Sequence, residues 1–179
     1  MDVSITLTEE LLLLYGTDYF VETGTFKGGA VKMAIEAGFS DIRSIDVDEA
    51  MYLAAVERFN NDSRVTLYHG DSLKLLSEMI ADITEPITFW LDAHDGNAGS
   101  GSVQAPLLEE LRIIGEHCVK DHVILIDDVQ LMGKSFWHDV TKEKVEEAIK
   151  KINPLYQIYY EDSRAYKRDI LVAVVKREE

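Results

Sequence analysis

An α/β fold built on a doubly wound, mainly parallel sheet is what the sequence predicts, and three observations predict it. Short apolar runs of strand type alternate with longer stripes of helical period along the chain, the pattern of strands joined by crossover helices. A glycine-rich turn, Glu22-Thr23-Gly24-Thr25-Phe26-Lys27-Gly28-Gly29, follows the first strong strand. Acidic residues then recur at the ends of later strand-like runs, the edge on which a sheet of this kind binds its ligand.

The elements follow in order. Thr8 to Tyr15 reads as a leading helix with Thr8 as its N-cap, and Tyr19 to Glu22 as the first strand. Gly28 to Ala37 is the first crossover helix, ended by Gly38, and Ile42 to Asp46 the second strand. Glu49 to Phe59 is helical, with Met51, Ala55, Val56 and Phe59 able to face the sheet; Val65 to Tyr68 is a strand and Ser72 to Ala81 a helix. Pro86 opens the very apolar strand Ile87 to Leu91. The Gly/Ser/Asn-rich segment from Asp92 to Ser102 suits neither helix nor strand and exceeds the usual connection length, which marks a working loop. Pro106 starts a helix to His117, Val123 to Ile126 is a continuous apolar strand, and Lys142 to Ile152 a charged amphipathic helix. Tyr156 to Tyr160 and Ile170 to Val175 close the sheet as a hairpin. The expected architecture is a Rossmann-like, doubly wound seven-stranded sheet of order 3-2-1-4-5-7-6 with the last strand antiparallel, in a single domain over residues 1–179.

Composition narrows the partners. Thirty-three acids against 18 Lys and Arg give a formal net charge of −15, which repels polyanions and disfavours a nucleic-acid surface. No apolar run reaches the ~20 residues of a membrane-spanning helix, and the start lacks a basic signal region, so the expected partner is a small molecule and the expected address the cytoplasm. Cys118, the single cysteine, excludes an intrachain disulfide and is expected to be a small buried apolar residue.

The chemistry gathers at the strand ends. Gly24, Gly28 and Gly29 allow the backbone to turn sharply and approach a ligand, with the next helix presenting free N–H groups. Glu22 would repel a pyrophosphate but attract an ammonium, and the spacing departs from G-x-G-x-x-G. Asp46, about 20 residues on, can accept from ribose hydroxyls, and Asp48 is the cap of the following helix. Asp71 can accept from an adenine amino group, cap the helix that begins at Ser72, or do both. Asp92, His94 and Asp95 follow the fourth strand, and Asp127 and Asp128 the fifth. Carboxylates crowded there call for a cationic ligand or a divalent metal, unless Asp127 and Asp128 merely open a loop. His94 can serve as metal ligand, general base or loop residue. Trp90 reads as core; Phe136 and Trp137 form either a substrate lip or packing against the sheet; His69, His117, His122 and His138 read as structural or surface.

Val21-Glu-Thr-Gly-Thr-Phe-Lys-Gly-Gly29, Leu91-Asp-Ala-His94 and Leu125-Ile-Asp-Asp-Val129 resemble the class I S-adenosylmethionine-dependent methyltransferases, and among them the macrocin O-methyltransferase-like group, over Tyr19 to Val129. The resemblance implies methyl transfer to a hydroxyl of a small molecule or sugar, assisted by a divalent cation such as Mg²⁺. It implies that Glu22 and Gly24 hold the methionyl end, Asp46 the ribose and Asp71 the adenine side, with Thr23, Thr25, Gly28 and Ser72 also binding the cofactor. Asp92, which also touches the cofactor, would join Asp127 and Asp128 as metal ligand, with His94 or Asp92 as base. His94 departs from the pattern, which more often has an acid there. The acceptor pocket would draw on Asp95 to Gln104, Leu131 to Thr141, or a second subunit of a homo-oligomer. Two alternatives stay open: a non-catalytic S-adenosylmethionine- or nucleotide-binding module acting through partners, and an NAD-dependent oxidoreductase, against which Glu22 and the altered glycine spacing argue.

Overall fold

Alternation between two buried faces organises the chain. The computed structural model describes residues 6–93, 105–134, 137 and 139–176. In order, its elements are α1 (Glu9–Tyr15), β1 (Tyr19–Thr23), α2 (Gly29–Ala37), β2 (Asp41–Asp46), α3 (Glu49–Phe59), β3 (Val65–His69) and α4 (Ser72–Ile80). Then come β4 (Ile87–Leu91), α5 (Leu107–Glu116), β5 (Val123–Ile126), a single 3-10 turn at Val129–Leu131, α6 (Lys142–Ile152), β6 (Tyr156–Glu161) and β7 (Ile170–Val175). Side-chain caps set where helices begin. Thr8 accepts from Leu11 N–H, Asp48 from Ala50 and Met51 N–H, Asp71 from Leu73 N–H, and Thr141 from Lys144 N–H, each satisfying an end donor that the helix itself leaves orphaned.

The sheet runs β3-β2-β1-β4-β5-β7-β6. β1 pairs in parallel with both β2 and β4, and β4 with β5, while β7 is antiparallel to β5 and β6. Strand order therefore reverses between β1 and β4, and the predicted topology is the observed one. Side chains alternate across the sheet. Val21, Ile45, Phe89, Ile124 and Leu171 pack with Leu76, Met79, Leu111, Ile114, Val145 and Ile149 of α4 to α6. Phe20, Ile42, Trp90, Leu125 and Val172 pack on the opposite face with Leu11, Leu12, Ala30, Ala34, Ala55 and Phe59 of α1 to α3. Each fully buried large apolar side chain contributes about 1.5–3 kcal/mol, so tertiary burial, not intrinsic propensity, holds a helix as short as α1. Trp90 is core, as expected.

Two aromatic and cysteine expectations resolve differently. Trp137 is buried beside Val140 and Met132, so it packs against the body and forms no exposed lip. Cys118, expected in the core, is exposed. His117 takes the inward place instead: its Nε2 donates to the Ile80 and Ile83 carbonyls at 3.1 and 3.0 Å. A directed chain fixes the tautomers. Ile87 N–H donates to His122 Nδ1 at 3.1 Å, which leaves His122 Nε2–H to donate to His117 Nδ1 at 3.1 Å. Both imidazoles are thus neutral. No helix among the described residues is long and apolar enough to cross a membrane.

Candidate active site at the carboxyl edge of the sheet

The glycine turn is built by backbone bonds that only glycine permits at two places. Gly24 and Gly28 have φ of 93° and 71°, and a Cβ would lie 2.8 Å from the Asp92 carbonyl oxygen at the first and 2.4 Å from the Phe59 ring at the second. Gly24 and Thr25 N–H both donate to the Ile45 carbonyl, at 2.9 and 3.1 Å. Phe26 adopts φ 45°, an uncommon state for a residue with a side chain, and its N–H donates to Asp46 Oδ2 at 2.6 Å. The other Asp46 oxygen accepts from Asp48 N–H at 2.8 Å. Asp46 thus clasps the turn, a role the sequence did not reveal, and each oxygen keeps a further lone pair for a ligand hydroxyl.

Behind the turn, Glu22 is only 2% exposed. Ser44 Oγ–H donates to Glu22 at 2.5 Å, and Thr25 Oγ1 lies 2.6 Å from Ser44 Oγ. Burial pushes the Glu22 carboxyl up to about 8, against the pull of Ser44, with the Asp46 charge adding to the rise. A ligand cation beside it would restore ionisation. Next to Glu22 opens a cavity of 230 Å³ with Gly24, Ala30, Met33, Trp90 and Asp92 in its wall. That is smaller than the ~300–1,000 Å³ of a pocket that engulfs a drug-sized ligand, so it suits one end of an elongated molecule. Lys27, Lys32, Arg58 and Arg164 also line it. Glu36 lines it too, 3.8 Å from Lys32 Nζ, so the wall carries charges of both signs.

The third strand end supplies the Asp71–Ser72 turn. Asp71 caps α4 through Leu73 N–H at 3.0 Å and lies 3.6 Å from Lys74 Nζ. Ser72 Oγ–H donates to Glu110 Oε1 at 2.6 Å. Glu110 is 1% exposed, and burial pushes its carboxyl up to about 7, opposed by the hydroxyls of Ser72 and Thr23. The sequence reading missed Glu110. The signal was its place in the apolar stripe Leu107, Leu111, Ile114 of α5, where an acid is out of character.

The fourth and fifth strand ends converge. Leu91 pairs with Ile126, so the following residues lie side by side, and Asp127 N–H donates to the Leu91 carbonyl at 3.2 Å. Carboxylate oxygens of Asp92, Asp127 and Asp128 come within 4.8 Å of one another. Asp128 reaches this position with φ 55°, and Asp127 is 3% exposed. Asp127 Oδ2 accepts from the Thr6 hydroxyl, while its buried Oδ1 has no hydrogen-bond partner among the described residues. Burial pushes Asp127 up to about 6, the Thr6 hydroxyl opposing and Asp128 adding. Burial, then the charges of Asp127, Glu22 and Asp128, hold Asp92 well above the usual carboxylate range, against the Trp90 indole N–H that donates to it. Three converging oxygen donors and an orphaned buried oxygen fit a hard divalent cation.

Of the sequence-derived site, the fold brings Glu22, Thr23, Gly24, Thr25 and Gly28 to one turn, Asp46 against that turn, and Asp92 with Asp127 and Asp128. Asp71 and Ser72 stand at the head of α4, after the edge strand β3. His94, the Asp95 to Gln104 loop, Ser135, Phe136 and His138 lie outside the described residues.

No family model and no curated protein sequence matches the chain. Solved structures do. An O-methyltransferase from Bacillus cereus in complex with S-adenosylhomocysteine superposes with a TM-score of 0.63 at 16% identity, covering 94% of this chain and 78% of that one. An S-adenosylmethionine-bound amino pentose methyltransferase from Micromonospora echinaspora gives 0.59 at 12% identity over 88% and 83%. Spermidine synthase from Thermotoga maritima gives 0.63 at 12% identity over 97% and 59%. At such identities the likeness establishes a Rossmann-like methyltransferase fold; the activity has to be argued from the site.

Proposed function

We propose that the protein is a class I S-adenosylmethionine-dependent methyltransferase, of the macrocin O-methyltransferase-like kind, acting on a hydroxyl of a small molecule such as a sugar with the help of a divalent cation. The observation that carries this reading is the two-signed cavity beside the glycine turn. Glu22 and Asp92 offer negative charge to an ammonium, and Lys27 and Arg164 offer positive charge to a carboxylate. An α-amino-acid end carries both. Asp46 then has lone pairs to offer the ribose, and the Asp71–Ser72 turn faces the base.

The bound cofactor would supply an electrophilic sulfonium methyl, which passes to the acceptor oxygen as the S–CH₃ bond breaks and leaves a neutral thioether. The chain's task is then alignment and removal of one proton. His94 or Asp92 takes that proton. Asp92, Asp127 and Asp128 would hold the cation, which would supply Lewis-acid stabilisation of the acceptor alkoxide.

Calorimetric titration tests the cofactor. S-adenosylmethionine and S-adenosylhomocysteine should bind, and the decarboxylated cofactor of aminopropyl transfer more weakly, because it offers no carboxylate to Lys27 and Arg164. Arg164→Ala and Lys27→Ala should narrow that difference. Preference for decarboxylated cofactor or for NAD would overturn the reading. Tight binding with no methylation of any hydroxyl compound in a broad acceptor screen, with or without Mg²⁺, would favour a non-catalytic module.

A further inference from the structure

Glu110 is a buried acid for which the proposed reaction has no use. It stands in the apolar stripe of α5 among Leu107, Leu111 and Ile114, where leucine would pack without the cost of desolvating a carboxyl. Its side chain nevertheless reaches the ligand edge of the sheet, taking the Ser72 hydroxyl at 2.6 Å at the head of α4. The bond has a direction. Serine has a single hydroxyl proton, and once that proton is committed to Glu110 the Ser72 oxygen can offer only lone pairs to anything else. Asp71, next in the chain, is likewise an acceptor when ionised. Its Oδ1 is engaged by Leu73 N–H at 3.0 Å and retains further capacity.

We infer that Glu110 is a specificity-determining residue of the base subsite: by holding the Ser72 proton it leaves the side-chain oxygens of both Asp71 and Ser72 as acceptors, which selects a 6-amino purine over a 6-oxo purine. The 6-amino group donates to such acceptors, whereas a 6-oxo oxygen meets them with lone pair against lone pair. Without Glu110 the Ser72 hydroxyl can rotate and donate, and the turn reads both bases. This inference rests on the cofactor reading proposed above.

Titrating the full chain with S-adenosylhomocysteine and S-inosylhomocysteine in mildly alkaline buffer tests it. Wild type should prefer the adenosyl compound. Glu110→Leu should lower the ratio of the two affinities by roughly three- to tenfold, the range of one hydrogen bond. Ser72→Ala should lower it similarly, and the double variant should add little further. A structural role alone would weaken both ligands alike, so an unchanged ratio in Ser72→Ala and in folded Glu110→Leu overturns the inference and leaves the cofactor reading standing. If Glu110→Leu does not fold, Ser72→Ala alone carries the test. Failure of wild type to bind either nucleoside overturns the cofactor reading and this inference with it.

Discussion

Asp92 and Asp127 stand side by side because β4 and β5 pair in a register that sets Leu91 against Ile126, with Asp127 N–H bonded to the Leu91 carbonyl. The pairing forces two carboxyl groups, and Asp128 with them, into one partly buried crevice. Their mutual repulsion is what a divalent cation would relieve.

The first prediction concerns that crevice. Mg²⁺ or Mn²⁺ should raise the melting temperature of wild type, by an amount equivalent to about 2.7 kcal/mol when the ion is at a hundred times its dissociation constant. Asp127→Asn should lose most of that response while still binding S-adenosylhomocysteine. Equal metal-dependent shifts in variant and wild type, read by differential scanning calorimetry, would remove Asp127 from the ligand set.

Proton removal gives the second. His94→Ala should leave S-adenosylhomocysteine affinity close to wild type and slow single-turnover methylation by roughly 10²- to 10⁴-fold, the usual worth of a positioned general base. If the rate is unchanged in this variant and also in Asp92→Asn, neither residue is the base.

A third prediction compares two glycines that both adopt positive φ. At Gly28 an added Cβ would collide with the Phe59 ring at 2.4 Å, whereas at Gly38, with φ 91°, nothing lies within 4 Å. Gly38→Ala should therefore cost only the left-handed backbone term of ~1–2 kcal/mol. Gly28→Ala should cost that and roughly 1–3 kcal/mol more for overpacking. Urea unfolding measures both, and equal losses would contradict the steric account.

His122 and Glu110 should drive the pH dependence of stability in opposite directions, Glu22 and Asp127 sharing the sign of Glu110. His122 is held down to about 4 from 6.5, mainly by burial. Between those values the unfolded chain binds a proton that the folded chain refuses, so stability falls as pH drops from 6.5 towards 4. Protonated His122 would also turn an N–H against the Ile87 N–H. Glu110 has the opposite sign: raised from 4.5 to about 7, it keeps its proton in the fold after the unfolded chain has lost it. Its contribution is present below 4.5 and is lost as pH rises through 7. Relative to wild type, Glu110→Gln should gain stability with rising pH over that window, by about 2–3 kcal/mol. His122→Gln should flatten the acid limb. Parallel stability–pH curves for all three proteins would show that neither group titrates as described.

What the residues determined by themselves was the order of elements and the turn chemistry. Strand and helix periods, the caps Thr8, Asp48 and Asp71, and the glycine pair at Gly28-Gly29 act over a few residues, so the fold and the edge carrying the site could be read locally. Non-local facts could not. The burial of Trp137, the exposure of Cys118 and the directed His117–His122 pair depend on which side chains the core accommodates, and packing between distant segments decides that. Glu110 showed in the sequence only as an acid out of place in an apolar stripe, because its partner, Ser72, lies 38 residues away in the chain. The acids at 92, 127 and 128 were legible as strand ends, but only the tertiary register brings their oxygens within 4.8 Å of one another. Electrostatic energy depends on separation and burial, neither of which is written in a one-dimensional sequence.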